Sequence, residues 1–303
     1  MKLLSVGLTD VNPNIATQLQ HDCGRLVPDG FRITVDEMNK GKYTFIGCNI
    51  VEGELSFRSY ERLKDSLKLY VAKLVTELIL NREEKNLIRR QIAKHYNYFS
   101  KEEQEKIYEY SQKILDGSIG LFEGFGLHER RNHILNLVVE HLDYHHELVI
   151  EGFVRFRLKE YRHCLHQLVN KAVDELMLDL EYEEFISVLR HFISTQERGE
   201  LESHVVIHSE KLYQILDPEG KPLSNQYLTH ISPVPENKAI NYEDLLITAL
   251  ITISPYRVII HNPSRIEATE MIETVEGVFE NRVVMCNGCE LCLESISCPV
   301  DRE

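Results

Sequence analysis

A switch in hydrophobic periodicity divides the 303-residue chain into three segments. Residues 1–54 alternate short apolar runs with turn residues, residues 55–200 repeat apolar side chains every three or four positions, and residues 201–303 return to short apolar runs. The three- or four-residue repeat is typical of amphipathic helices, and short runs bounded by Gly and Pro are typical of strands. The sequence therefore predicts an α+β protein with a small N-terminal α/β cap (1–54), a helical region (55–200) and a C-terminal α/β module (201–303).

The first two segments predict a series of individual elements. Ser100 and Glu103 have the spacing of a capping box, which marks the start of a helix. In the cap we expect strands at Lys2–Leu8, 31–35 and 43–50 and a short helix at 14–21. In the helical region we expect helices from about residue 56 to beyond Ile88, from Ser100 to about 116, and over 128–146, 152–178 and 182–196.

The C-terminal segment predicts a βαβ unit that leads into a cysteine cluster. Strands are expected at 205–208 and 213–216, and 232–235 is a candidate linker. A helix at Tyr242–Ile253, a strand at Arg257–His261, a helix at 264–279 and a strand at 282–285 follow. The strand at Arg257–His261, the following helix and the strand at 282–285 form the βαβ unit, whose two strands lie parallel with a right-handed crossover. The cysteines begin at the end of the second strand, where open α/β sheets place ligands.

The cysteine cluster has the spacing of a metal site. Cys286, Cys289 and Cys292 form a C-x2-C-x2-C run, and Cys298 follows after five more residues. Thiolates at this spacing can turn toward one centre and hold Zn or, less in keeping with the five-residue last spacing, an iron–sulfur cluster. A thiol-exchange role and no role stay open. The fourth ligand is either Cys298, a side chain from elsewhere, a water, or a group from another copy.

Charge and composition limit the setting of the protein. The 34 basic and 48 acidic residues leave a formal charge of −14, which argues against a general binder of nucleic acid or anionic membranes. No apolar run approaches the roughly 20 residues of a transmembrane helix, and no secretory signal is visible at the start. We therefore expect a cytoplasmic protein whose seven cysteines are thiols or metal ligands rather than disulfides.

A basic stretch interrupts this acidic background. Arg155, Arg157, Lys159 and Arg162 lie within FVRFRLKEYRH, and at helical spacing three of them share a face with His166. Such a face can bind phosphates or an acidic partner surface. The other interpretation is that these side chains pair with neighbouring carboxylates.

The segments FVRFRLKEYRHCLHQLVNKAVDEL, EDLLITALITISPYRVIIHNP and RVVMCNGCELC together resemble the YtxC-like family of sporulation proteins. The resemblance implies a sporulation role in endospore-forming bacteria and brings no set of enzymatic residues. It marks two groups of positions as typical of the family, one in the basic stretch and one in the cysteine cluster. They are Arg155, Arg157, Lys159, Tyr161, Cys286, Cys289 and Cys292.

Three functions are open at this point. The family resemblance implies a sporulation-associated protein. The cysteine spacing and the absence of the P-loop, G-x-S-x-G, G-x-G-x-x-G and H-E-x-x-H signatures favour an interaction or regulatory protein with a protein partner and a cysteine-based metal site. The alternative is an enzyme acting on nucleic acid or a phosphorylated substrate through the basic helix and nearby histidines. A redox role of the cysteines is a third interpretation.

Overall fold

The structure is a computed structural model that describes most of the chain. It forms two compact units, Met1–Leu178 and Asp179–Glu303. The residues described are 2–9, 19–21, 32–52, 57–119, 125–196, 199, 201–209, 212–223, 242–261 and 269–294. Most of the helix predicted at 14–21, the candidate linker 232–235 and Cys298 lie outside these residues.

The first unit combines a four-stranded sheet with a group of helices. The elements are β1 Lys2–Leu8, β2 Arg32–Lys40, β3 Tyr43–Glu52, α1 Phe57–Leu78, α2 Glu84–His95, α3 Lys101–Asp116, α4 Leu127–Tyr144, β4 Glu147–Val149 and α5 Ile150–Phe156. The strands have the order β2-β3-β1-β4, in which β4 runs parallel to β1 and the other pairs are antiparallel. A π-helical turn at Ile79–Glu83 joins α1 and α2.

The apolar repeat of the helical region forms the core of this unit. Leu63, Leu67 and Val71 of α1 are almost completely buried, as are Ile134 and Val138 of α4, and the two helices pack against each other. The capping box is confirmed: Ser100 Oγ accepts from the backbone of Glu103 at 3.2 Å, and Glu103 Oε2 accepts from the backbone of Ser100 at 2.7 Å. This cap satisfies two backbone donors at the start of α3.

The largest departure from prediction concerns the helix that carries the basic stretch. We predicted helices at 152–178 and 182–196, whereas α5 ends at Phe156 and a single 37-residue helix, α6, covers Lys159–Thr195. The chain turns at Arg157 and Leu158, and Leu158 is completely buried. Arg155 and Lys159 therefore belong to different helices, and the prediction of one continuous helix over 152–178 was wrong.

The second unit is a four-stranded sheet with helices packed on one face. The elements are β5 Glu202–Ser209, β6 Leu212–Leu216, α7 Tyr242–Ile253, β7 Arg257–His261, α8 Thr269–Phe279, a 3-10 turn at Glu280–Arg282, β8 Val283–Met285 and α9 Glu290–Glu294. The strands have the order β6-β5-β7-β8, with β5, β7 and β8 parallel and β6 antiparallel. Val205, Val258 and Ile260 point into a core that α7, α8 and the C-terminal part of α6 cover.

The predicted fold class is confirmed. Strands at the N-terminus, a long helical middle and a C-terminal group of strands and helices appear in this order, and β7, α8 and β8 form the predicted parallel βαβ unit. The predicted boundaries near residues 54 and 200 stay a prediction. None of the described helices is long and apolar enough to cross a bilayer.

Candidate metal centre

Parallel pairing of β7 and β8 places a histidine beside the cysteine cluster. The register pairs Ile260 with Met285, and the backbone N–H of Cys286 donates to the carbonyl of Ile260 at 2.8 Å. His261 is the last residue of β7, and Cys286 follows the last residue of β8. The carboxyl ends of both strands thus carry potential metal ligands at the same edge of the sheet.

The chain after β8 folds into a short knuckle. Gly288 has φ of 120°, a region in which side chains with a Cβ are strained, and its N–H donates to Cys286 Sγ at 3.4 Å. The N–H of Cys292 donates to the carbonyl of Cys289 at 3.1 Å as α9 begins. This turn brings the sulfur atom of Cys289 back toward the strand ends.

The side chains of His261, Cys286, Cys289 and Cys292 converge on one point. Their ligand atoms all lie within 4.8 Å of one another. Cys292 Sγ is 3.8 Å from Cys286 Sγ and 3.8 Å from Cys289 Sγ. His261 Nδ1 is 3.3 Å from Cys289 Sγ and 3.6 Å from Cys292 Sγ. A tetrahedron with metal–sulfur bonds of about 2.3 Å has sulfur atoms about 3.8 Å apart, so these distances fit a single tetrahedral ion.

The four side chains of this cluster are buried or partly buried. His261 is 2% exposed and Cys292 is 8% exposed, while Cys286 and Cys289 are partly buried. Burial raises the pKa of the Cys286 thiol, which the N–H of Gly288 partly offsets and the other two thiols reinforce. Burial, followed by the neighbouring His204, lowers the pKa of His261. Both shifts favour neutral side chains in the metal-free cluster, and metal binding must displace the thiol protons.

A second histidine lies behind the first. His204 Nδ1 is 2.9 Å from His261 Nε2, and the two ring planes are nearly parallel. His204 Nε2 is in turn 3.4 Å from a carboxylate oxygen of Glu202, whose other oxygen is 3.5 Å from Arg257. When His261 Nδ1 binds a metal, its Nε2 carries the proton and donates to His204. Metal-bound histidines are usually oriented by such outer hydrogen bonds.

The structure brings three of the four predicted cysteine ligands together and adds one that the sequence analysis did not name. Cys286, Cys289 and Cys292 share the centre, and Cys298 lies outside the described residues. His261 occupies the position left open for a side chain from elsewhere. The signal was present in the sequence, because His261 ends the first strand of the predicted βαβ unit and Cys286 follows the second.

The basic stretch lies in the first unit. Arg155, Lys159 and Arg162 line a cavity of this unit, whereas Arg157 does not. Among the described residues, none of these four cationic side chains has a carboxylate oxygen within 4.0 Å. The described part of the chain therefore does not support the interpretation that these side chains pair with neighbouring carboxylates.

Fold and site together define the class of protein. The chain is a mixed α/β protein in which one histidine and three cysteines at the edge of a parallel sheet could hold a metal ion. The model of the YtxC-like family matches residues 69–284, more than two thirds of the chain, and the chain belongs to this family. It is 24% identical over 209 residues to the uncharacterized protein YtxC of Bacillus subtilis (strain 168), a match that covers 64% of this chain and 68% of the relative.

The extent of these matches bears on the site. The family model ends at residue 284, two residues before Cys286, and includes both His204 and His261. Membership therefore rests on the helices and strands and not on the cysteines. No solved structure matches the chain.

Proposed function

We propose that the chain holds one zinc ion in a structural Cys3His site and acts as an interaction or regulatory protein. The observation that carries this proposal is the closed set of four protein ligand atoms, all within 4.8 Å of one another. Structural zinc sites are filled by four protein side chains, whereas catalytic zinc sites keep one position open for water or substrate. When bound, zinc supplies a rigid link between the ends of β7 and β8 and the knuckle.

The choice of zinc over an iron–sulfur cluster rests on spacing and ligand type. Each thiolate of a cluster is attached to an iron atom of a larger inorganic core, which holds the sulfur atoms of different ligands apart. The 3.8 Å separations here suit ligands of one ion. A mixed set of thiolates and one imidazole is a common set for structural zinc.

Exposed apolar side chains on α6 support a protein partner. Phe185, Val188 and Phe192 are 53%, 60% and 49% exposed, and their spacing of three and four residues places them on one face of the helix. Contiguous exposed apolar side chains mark interaction surfaces more often than isolated ones do. We assign the partner role to this face.

The cellular setting follows from the family and from the thiols. We propose a cytoplasmic location, because three thiolate ligands require a reducing compartment to remain available for metal. The sporulation role is the one that the resemblance to the YtxC-like family implies.

Metal analysis of freshly purified protein tests the site. We expect about one equivalent of zinc in the wild type and less than about 0.2 equivalent in Cys289→Ser and His261→Ala. Cys164→Ser is the matched control, since Cys164 lies in α6 and is not among the four converging residues, and it should retain the metal. Cys298→Ser should also retain it. A wild type without zinc or iron, or zinc content unchanged by the two ligand variants, would overturn the proposal.

Complementation tests the role. In an endospore-forming host that carries the gene, deletion should lower the spore yield, and wild-type protein should restore it. Neither Cys289→Ser nor a variant with Phe185→Ser and Phe192→Ser should do so, although the latter should keep its zinc. Normal spore yield after deletion refutes the sporulation role, and full rescue by the double variant refutes the partner surface.

A further inference from the structure

The first unit contains a cationic cavity that is unrelated to the metal centre. The cavity has a volume of about 910 Å³, within the range of small-molecule sites. It is lined from four directions: the end of β1, the β2–β3 turn, α2, and the junction of α5 with α6. Because separate elements build this site, its shape is determined by the fold and not by one flexible loop.

The charge of this cavity is opposite to that of the whole chain. Two carboxylates, Glu83 and Glu151, line it. Glu151 Oε1 accepts from the backbone N–H and the hydroxyl of Thr9, and Glu151 Oε2 is buried without a hydrogen-bond partner. Six cationic side chains also line it: Lys42, Arg90, Lys94, Arg155, Lys159 and Arg162. In the described part of the chain no carboxylate oxygen lies within 4.0 Å of any of the six.

One of these cationic side chains, Arg162, is fixed by a hydrogen bond and retains a donor without a partner. Arg162 Nη1 donates to the carbonyl of Arg155 at 3.2 Å, and the carbonyl of Arg162 accepts from Gln91 at 3.2 Å. Arg162 Nε is buried and has no hydrogen-bond partner, and the same is true of His166 Nδ1 on the next turn of α6. Buried polar atoms of a native protein are nearly always paired, so these two atoms are exceptions among the side chains that line the cavity.

The junction of α5 and α6 carries cationic side chains that differ in whether they line the cavity. Arg155 at the end of α5 and Lys159 at the start of α6 both line it, on either side of the buried Leu158. Arg157, between them in sequence, is exposed and does not line it. The same local segment therefore contains two cavity cations and one matched outside cation.

An aromatic side chain completes the site. Phe156 lines the cavity and is 64% exposed, and Tyr43 lines it from the β2–β3 turn. Exposed aromatic rings beside cationic side chains are the combination by which proteins hold bases and phosphates together.

We propose that this cavity binds a nucleoside polyphosphate, with the cationic side chains on the phosphates and Phe156 against the base. Several phosphate charges match several unpaired cations, and the volume admits one nucleotide. This site lies wholly in the first unit and does not depend on the proposed zinc site.

Titration calorimetry of the full chain tests the proposal with ATP, ADP, pyrophosphate, adenosine and a 20-nucleotide single-stranded RNA as probes. ATP and ADP should bind at least about tenfold more tightly than adenosine, and added salt should weaken them because phosphate contacts are ionic. Lys159→Gln and Lys94→Gln should each lower the affinity for ATP by roughly tenfold, as expected for the loss of one charge-assisted contact. Phe156→Ser should lower the affinity for ATP more than the affinity for pyrophosphate.

Arg157→Gln is the matched control, because it removes the same charge from the same segment without touching the cavity. It should leave the affinity for ATP within twofold of the wild type. Equal loss in Arg157→Gln and Lys159→Gln would show a general charge effect and overturn the site. Tighter binding of the 20-nucleotide RNA than of ATP would make this surface a nucleic-acid interface instead and overturn the nucleotide site. No heat from ATP or ADP at millimolar concentration, with the far-UV circular dichroism of the protein intact, would also overturn it.

Discussion

Replacing His204 by Ala would test whether a hydrogen bond outside the metal ligands holds the histidine ligand in its binding orientation. His204 Nδ1 lies 2.9 Å from His261 Nε2, and His261 is 2% exposed. Removal of the His204 ring leaves the Nε2–H of a metal-bound His261 in a buried position without this acceptor. Leaving a buried donor unpaired costs about 1–3 kcal/mol.

The expected loss of metal affinity follows from that cost. Removing an outer-shell partner of a metal-bound histidine typically lowers metal affinity about 10–100-fold, which corresponds to about 1.4–2.7 kcal/mol. We expect His204→Ala to fall in this range. His204→Asn should recover most of the loss, because an Asn oxygen can take the place of Nδ1 as acceptor. Glu202→Gln should have a smaller effect, since Glu202 is one residue further from the metal at 3.4 Å from His204.

Competition with a chromophoric chelator at pH 7.5 measures the zinc dissociation constant of each variant. His191→Ala serves as the control, because His191 is an exposed histidine of α6. The reasoning fails if His204→Ala binds zinc within twofold of the wild type. It fails equally if His204→Asn is as weak as His204→Ala, because the acceptor would then not be the property that matters.

Three further predictions concern stability, backbone strain and pH. Arg130 donates to both carboxylate oxygens of Glu84 at 2.6 Å, and both residues are buried. Arg130→Met should therefore lower the free energy of unfolding by about 3–5 kcal/mol in urea titrations followed by circular dichroism, and an added Glu84→Leu should recover much of this loss. Equal stability of the single variant and the wild type would contradict this prediction. Gly288→Ala should lower the zinc affinity about tenfold. Gly288 has φ of 120°, and strain of about 1–2 kcal/mol on a residue with a Cβ corresponds to that ratio. An unchanged zinc affinity would contradict the argument from backbone strain. Because burial raises the pKa of Cys286 from 9.0, protons compete for the ligands and zinc affinity should fall with falling pH by up to about tenfold per pH unit for each thiol proton displaced; a chelator competition that is flat between pH 8 and 6 would contradict it.

In metal-free protein the same thiol has the opposite pH effect on folding. A thiol whose pKa is raised by folding stabilises the folded state while it is protonated. Its contribution is complete below the ordinary pKa of 9.0 and is lost as the pH rises through the raised value. Metal-free protein should therefore lose stability above about pH 9, while zinc-bound protein gains affinity for its metal over the same interval.

Much of the site could be read from local sequence. The spacing of Cys286, Cys289 and Cys292 predicted three ligands, and the structure places their sulfur atoms together. The strand Arg257–His261 was predicted with the bounds that the structure has. Short spacings act within one turn of the chain, so they keep their meaning without knowledge of the rest of the fold.

Two features were missed for the same physical reason. The strand β4 at Glu147–Val149 has three residues and exists through its pairing with β1, which lies about 140 residues earlier. The helix break at Arg157 and Leu158 carries no Gly or Pro, and Leu158 is buried in the core of the unit. Neither a short paired strand nor a turn secured by tertiary packing leaves a periodic signal in its own segment.

The sequence by itself determined the fold class, the βαβ unit and the three-cysteine spacing, because periodicity, caps and short spacings are local properties. The tertiary structure decided the fourth ligand and the cavity. His261 reaches the cysteines only because β7 and β8 pair in parallel with Ile260 opposite Met285. Lys94 of α2 and Lys159 of α6 line one cavity only because α2 contacts α6, where Gln91 donates to the carbonyl of Arg162. Both outcomes depend on contacts between segments that are distant in the sequence. The local sequence of one segment does not determine which distant segment packs against it.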